Sequence, residues 1–248
     1  MEKNVVLAVE GLNLFNREGE QLVHDVSLSL RAGETLGLVG ESGSGKTLTL
    51  RSLIGLLPEG IREEHAARRD NPDCAMIFQN PMSALDPLCP VFRQLCEVIA
   101  LRQKTDPAET RARARTLLRR LSLPEDLAEA DRLPGSLSGG QCQRLLIALA
   151  LSCSPAALLC DEPTTALDVT VQKQTLSLIR ELQRERGFAI LFVTHNLAVA
   201  AQVCENLAVM RRGEIVERGP ARRLLTAPAH EYTKMLTAAI LPVPEREA

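Results

Sequence analysis

Hydrophobic and polar positions along this chain follow two periods. Val26-Ser27-Leu28-Ser29-Leu30 alternates apolar and polar at every residue, as a half-buried strand does. Val5–Val9 and Leu12–Phe15 read as further short strands ahead of the turn Asn16-Arg17-Glu18-Gly19. Three runs are dominated by apolar residues: Thr35-Leu36-Gly37-Leu38-Val39, Ala156-Ala157-Leu158-Leu159-Cys160 and Ala189-Ile190-Leu191-Phe192-Val193. Runs of that length predict strands buried on both faces. Ala75-Met76-Ile77-Phe78 predicts another, while Glu59–Asp73 is polar and irregular. Leu207–Met210 and Glu214–Arg218 predict a hairpin around Arg211-Arg212-Gly213. A helical period is expected over residues 48–54, Val91–Leu101, Pro107–Leu121, 141–152 and Val169–Arg186. Strands interleaved with helices predict an α/β fold around a mainly parallel sheet. The α/β core is expected at 1–79 and 156–248, with an antiparallel β part, and a helical subdomain at 80–155 interrupts it.

Composition narrows the class. Apolar residues make up 45% and charged residues 24% of 248, which suits a globular domain. A net charge of −2 gives no overall field toward nucleic acid or anionic lipid. No apolar run reaches the roughly 18 residues that a membrane-spanning helix needs. Met1-Glu2-Lys3-Asn4 lacks the apolar core of a signal peptide, so a cytosolic location is expected. The seven cysteines include no C-x-x-C pair and their number is odd, so neither a disulfide framework nor a zinc site is expected. Arg111, Arg113, Arg115, Arg119 and Arg120 crowd one predicted helix, where a solvated face is the expectation over a binding face.

The chemistry begins at Gly40-Glu41-Ser42-Gly43-Ser44-Gly45-Lys46-Thr47, which fits the phosphate-binding pattern G-x-x-x-x-G-K-[ST]. A buried strand precedes it and a helix follows. The glycines let successive N–H groups turn inward, and the helix N-terminus adds partial positive charge. Lys46 can reach the β- and γ-phosphates of a nucleoside triphosphate, and Thr47 can hold Mg²⁺. Asp161 and Glu162 end the buried strand 156–160 at the carboxyl edge of the sheet, where the phosphate loop also opens. Asp161 there suits Mg²⁺, and Glu162 suits the attacking water. Leu137-Ser138-Gly139-Gly140-Gln141 supplies a second anion-binding helix start. One nucleotide does not need two such sites from one subunit, so the second is expected to serve a nucleotide held by another subunit.

Taken together, these motifs resemble the ABC-type ATPases across residues 5–240. Gly40–Thr47 resembles their Walker A, Leu158–Glu162 their Walker B, Leu137–Gln141 their signature, Gln79 their Q-loop, Ala166-Leu167-Asp168 their D-loop and His195 their switch histidine. The resemblance implies a P-loop core with a small antiparallel β subdomain and an inserted helical subdomain. It implies a head-to-tail dimer with ATP between one subunit's Walker A and the other's signature. Glu162 is then the general base, and His195 contacts the γ-phosphate. Gln79 joins the Mg²⁺ and water shell, and Asp168 works across the dimer interface. Ser138, Gly139, Gly140 and Gln141 hold the partner's nucleotide, and Phe15, ending a strand of the β part, stacks on adenine.

Leu56-Leu57-Pro58, the stretch Met76–Pro87 and His230-Glu231-Tyr232-Thr233-Lys234-Met235-Leu236 further resemble the ATPase subunits of peptide/nickel importers. That implies a sister or identical ATPase, two membrane permease subunits, indirectly an extracytoplasmic binding protein, and a peripheral place on the cytoplasmic face of the inner membrane. Nucleic acid is not an expected partner. The short distance from Pro58 to the strand at 75 suggests a trimmed antiparallel subdomain. Asn196 stands where aspartate is usual, and Cys142 where a long side chain is common. The chain ends at Ala248 without the cysteine-containing extension of many oligopeptide relatives, which tilts the expectation toward nickel or metallophore cargo. The opposing class is a non-transport ABC ATPase of DNA repair or translation, whose coiled coils, zinc motifs or second ATPase domain this sequence lacks.

Overall fold

The computed structural model describes residues 4–71, 73–164 and 167–240. The chain forms two compact units, Met1–Asp70 with Leu191–Ala248, and Asn71–Ile190.

In the first unit, β1 (Val5–Phe15) pairs antiparallel with β2 (Gln21–Arg31). The buried side chains of β1 are Leu7 and Val9, then Leu12 and Leu14. That change from odd to even positions comes from a bulge. Gly11 adopts φ +65°, the register slips between Val9 and Leu12, and the Gly11 N–H donates to Ser27 Oγ at 3.0 Å. The two short strands expected there are therefore one bent strand. In β2, Asp25 at φ +47° changes the phase between Val23 and Val26 in the same way.

The stretch expected to be irregular holds β4 (Arg62–Glu64) and β5 (Ala67–Arg69), both antiparallel to β1. Three charged or small residues carry no apolar alternation, so only the ladder makes them strands. Arg62 lies opposite Phe15, and its guanidinium sits 4.3 Å from the ring centroid.

β3 (Thr35–Val39) is buried at every residue and runs parallel to β9 (Asn206–Arg211). β9 turns back antiparallel into β10 (Glu214–Pro220), and β8 (Ala189–Thr194) flanks β3 on its other side. Helices α1 (Lys46–Leu53), α6 (Leu197–Val203), α7 (Ala221–Thr226) and α8 (Glu231–Ala238) complete this unit. The periodicity did not predict α6 and α7, because six or seven residues hold too little pattern. Asn196 N-caps α6, its Oδ1 accepting the Val199 N–H at 3.1 Å, which gives the residue that departs from the usual aspartate a local structural role.

In the second unit, β6 (Cys74–Ile77) and β7 (Ala157–Asp161) are parallel, with Ile77 opposite Cys160. Helices α2 (Val91–Gln103), α3 (Pro107–Arg120) and α4 (Gly139–Ser152) bury Leu95, Ile99, Ala114, Leu118, Leu145 and Ile147, and α5 (Val169–Arg186) is tied to α3 by ion pairs from Arg120. α4 begins at Gly139, two residues before the expected start, because Ser138 caps it. Arg144 on α4 donates to the carbonyls of Leu121 at 3.0 Å and Ser122 at 2.6 Å. Cys142 is fully buried, its Sγ 3.6 Å from the Pro134 carbonyl oxygen. Four of the five arginines of α3 find partners within the unit: Arg113 with Glu109, Arg115 with Glu129 at 2.7 Å, Arg120 with Glu181 and Glu185, and Arg111 over the Phe92 ring. Exposed pairs of this kind contribute little to stability, about 0–1 kcal/mol each.

Candidate nucleotide site

In the first unit, β3 runs straight into the phosphate loop. Gly40 passes so close to β9 that an added Cβ would lie 2.0 Å from the Met210 carbonyl oxygen. Gly43 and Gly45 take φ +78° and +102°, in the left-handed region that glycine enters freely. The hairpin behind the loop supports it, the Gly213 N–H donating to the Ser44 carbonyl at 3.0 Å. Lys46 is buried, and its Nζ donates to the carbonyls of Gly40 at 2.8 Å and Glu41 at 2.6 Å. The ammonium is thereby drawn back over the loop, while Glu41, Ser42 and Gly43 remain exposed at its rim. Thr47 is the second residue of α1. Thr49 Oγ1 closes the first turn on the Gly45 carbonyl at 3.0 Å.

His195 is exposed immediately after β8. Thr194 Oγ1 accepts the Asn196 N–H at 3.1 Å and sets the turn that carries the histidine. Phe15 is half-buried at the end of β1.

The second unit carries the remaining expected residues. Because Ile77 pairs with Cys160, Gln79 and the Asp161-Glu162 pair leave the same carboxyl edge of the β6–β7 ladder. Gln79 is exposed there, Asp161 is only 2% exposed and Glu162 is half-buried. Glu162 adopts φ +46°. A non-glycine residue in that region carries strain of about 1–3 kcal/mol, which concentrates at functional sites. Asp168 N-caps α5, its Oδ1 accepting the N–H groups of Thr170 and Val171, each at 3.0 Å. Ala166 lies outside the described residues.

Ser138 and Gln141 form a capping box. The Gln141 N–H donates to Ser138 Oγ at 3.3 Å, and the Ser138 N–H donates to Gln141 Oε1 at 2.9 Å. Ser138 and Gly139 are exposed, with open space where a Gly139 Cβ would stand. The capping box leaves this helix start exposed at Ser138 and Gly139, a place suited to an anion brought by another molecule.

Three residues of the phosphate-loop surroundings were not legible as such in the sequence: Met210, Gly213 and Tyr232. Met210 and Gly213 belong to a hairpin whose register was expected, but its packing behind the loop is a tertiary event. Tyr232 stood in a recognisable segment near the chain end with no signal of what it touches. Its hydroxyl accepts the Glu41 N–H at 2.9 Å.

The sequence matches the ABC transporter family over residues 23–165. It is 42% identical to the glutathione import ATP-binding protein GsiA of Salmonella choleraesuis (strain SC-B67) over 97% of this chain. Identity to the protein of that name in Escherichia coli (strain K12) is 41% over 95%. The chain spans 43% and 42% of the length of these two relatives. Among solved structures it resembles a post-hydrolysis dimer of the ATP-binding cassette MJ0796 bound to ADP and Pi (TM-score 0.75, 26% identity, 87% of this chain and 99% of that one). It also resembles cbiO1 from Clostridium perfringens, part of an ABC transporter complex (TM-score 0.74, 26% identity, 91% and 92%). Fold and motifs thus define an ATP-binding cassette, and the chain belongs to the ABC transporter family.

Proposed function

We propose that this chain is the ATP-binding and ATP-hydrolysing subunit of an ABC importer, with a small peptide or peptide-like molecule as cargo. The observation that carries the reading is the pairing, in one chain, of a phosphate loop with Lys46 drawn over it and a separate, exposed, Ser138-capped helix start. Two phosphate-binding elements per chain suit a head-to-tail dimer in which each ATP is held from both sides. One solved cassette that resembles this chain is a dimer with ADP and Pi, which supports that arrangement. The names of the curated relatives give glutathione, a small peptide, as their cargo, which favours peptide over nickel.

Within this reading the backbone N–H groups of Gly43, Ser44, Gly45 and Lys46 cradle the phosphates, and Lys46 Nζ exchanges its carbonyl partners for phosphate oxygens. The donor set of Thr47 hydroxyl, buried Asp161 carboxylate and Gln79 amide oxygen is all oxygen, which fits Mg²⁺. When bound, that ion neutralises charge on the phosphates. Glu162 orients and deprotonates the attacking water, and its strained backbone holds the carboxylate in place for that task. His195 contacts the γ-phosphate from the end of β8. Phe15 and the guanidinium of Arg62 give adenine a flat, stacked edge. Ser138, Gly139, Gly140 and Gln141 hold the partner's nucleotide, and Asp168 works across the interface. ATP contacts both faces of the closed dimer, so its differential affinity favours closure, and loss of the γ-phosphate releases it. The helical stretch 80–155 faces the permeases, and the subunit sits peripherally at the cytoplasmic face of the inner membrane. Among the described residues no helix is long and apolar enough to cross a membrane.

The test is affinity capture from detergent-solubilised membranes with Glu162→Gln and ATP. Recovery of two polytopic proteins and a second ATPase subunit, sister or identical, supports the importer. Recovery of ribosomal or DNA-repair factors alone overturns it.

A further inference from the structure

We infer that Tyr232 is a positioning residue for nucleotide binding: it fastens the phosphate loop through Glu41, so that the C-terminal helix α8 sets the affinity of the site. The inference rests on the ATP-binding reading above. Glu41 is the hub. Its N–H donates to Tyr232 Oη at 2.9 Å, while its carbonyl accepts from Lys46 Nζ at 2.6 Å and from the Ser44 N–H at 3.2 Å. One peptide segment thus links the phenol to the ammonium that must meet the phosphates.

Tyr232 is itself held from several directions. It is 1% exposed, and the Arg211 guanidinium stacks 4.8 Å from its ring centroid. His230 Nδ1 accepts the Tyr232 N–H at 3.1 Å and caps α8. The segment before the helix is anchored to β10, because the Glu217 carboxylate accepts the Ala229 N–H at 2.9 Å and the His230 N–H at 3.1 Å. Burial above all pushes the phenol's pKa up, and the Glu41 carboxylate adds to it against the opposing Glu41 N–H and Arg211, so the phenol stays protonated at neutral pH. A buried phenol at a fixed place is a rigid post, and Glu41, exposed at the loop rim, is what it steadies. A hydrogen bond of this kind is worth about 2- to 12-fold in an equilibrium constant.

The chain contains one tyrosine and no tryptophan, so its intrinsic emission reports Tyr232 alone. The experiment measures equilibrium binding of radiolabelled ATP with Mg²⁺ to the full chain and to Tyr232→Phe, and follows tyrosine emission of the wild-type chain during the titration. Tyr232→Phe keeps the ring and its stacking but loses the acceptor. The expected result is a Kd raised about 3- to 10-fold, KM for hydrolysis raised in parallel with kcat little changed, and an emission change that saturates with ATP. A Tyr232→Phe affinity within twofold of wild type overturns the inference, even if the variant melts earlier, since stability alone is then what the phenol supplies. Absence of ATP binding by the wild-type chain would overturn the ATP-binding reading itself.

Discussion

Replacing Gly40 with alanine should damage this protein more than any other single methyl added to the phosphate-binding segments. Gly40 follows Val39, whose ladder partner is Val209, so it meets Met210 just where the parallel β3–β9 pairing ends. A Cβ there would lie 2.0 Å from the Met210 carbonyl oxygen and 3.0 Å from Ser44 Oγ. Ordinary contact begins at 3.4 Å, so about 1.4 Å must open between two backbones. No flexible side chain can yield it. Overpacking usually costs about 1–3 kcal/mol, and a backbone clash belongs at or above the top of that range. In a domain of this size that is a fall in Tm of about 6–12 °C.

Two controls give the argument its force. At Gly43 the same methyl meets nothing within 4 Å, but φ is +78°. The left-handed conformation then costs alanine about 1–2 kcal/mol, or about 2–8 °C. Gly139 has no positive φ and open space around it, at the first residue of a helix. Alanine there should leave Tm unchanged or raise it slightly. Thermal unfolding of the three purified variants should rank Gly40→Ala below Gly43→Ala below Gly139→Ala. A Gly40→Ala protein that melts within about 2 °C of wild type would refute the close-approach reasoning, because no stated relief of that clash is small enough.

Other outcomes follow from the same geometry. Glu162→Gln should keep ATP binding and cut steady-state hydrolysis about 10²- to 10⁴-fold, and near-normal turnover would remove Glu162 from the role of base. Ser138→Ala deletes one half of the capping box and should cost about 1 kcal/mol in denaturant unfolding, with the Gln141 half left in place. Burial raises the Glu217 carboxyl's pKa, but the hydrogen bonds from the Ala229 and His230 N–H groups, the nearby Thr233 hydroxyl and the charge of Arg223 outweigh it, so the net shift is below the ordinary 4.5. A depressed folded pKa means that the unfolded chain binds more protons in acid. The contribution of Glu217 is therefore complete above 4.5 and lost as pH falls through the folded value. Unfolding scans across that acid range should show a shallower decline for Glu217→Gln than for wild type.

Local patterns carried much of this molecule. The octet Gly40–Thr47, the strand that ends in Asp161-Glu162 and the segment Leu137–Gln141 were legible because their chemistry is written in consecutive residues. Neighbours along the chain dictate a tight turn, a buried run or a helix cap, and α4 and α5 start where Ser138 and Asp168 can accept N–H groups. Periodicity alone read the one bulged strand β1 as two. What pattern could not supply were relations between distant residues. Arg62–Glu64 and Ala67–Arg69 become strands only because the edge of β1 offers them hydrogen-bonding partners. Arg62 reaches Phe15 through that register, not through sequence proximity. Cys142 departs from a family habit, yet its burial against Pro134 makes sense only once the helices pack. Tyr232 lies 191 residues from Glu41, and no local rule joins them. Residue types and spacing thus determined which groups are proposed to bind phosphate and move a proton, since those depend on short-range geometry. The tertiary structure decided what holds these groups still, since a rigid backing for a glycine-rich loop must come from elements remote along the chain.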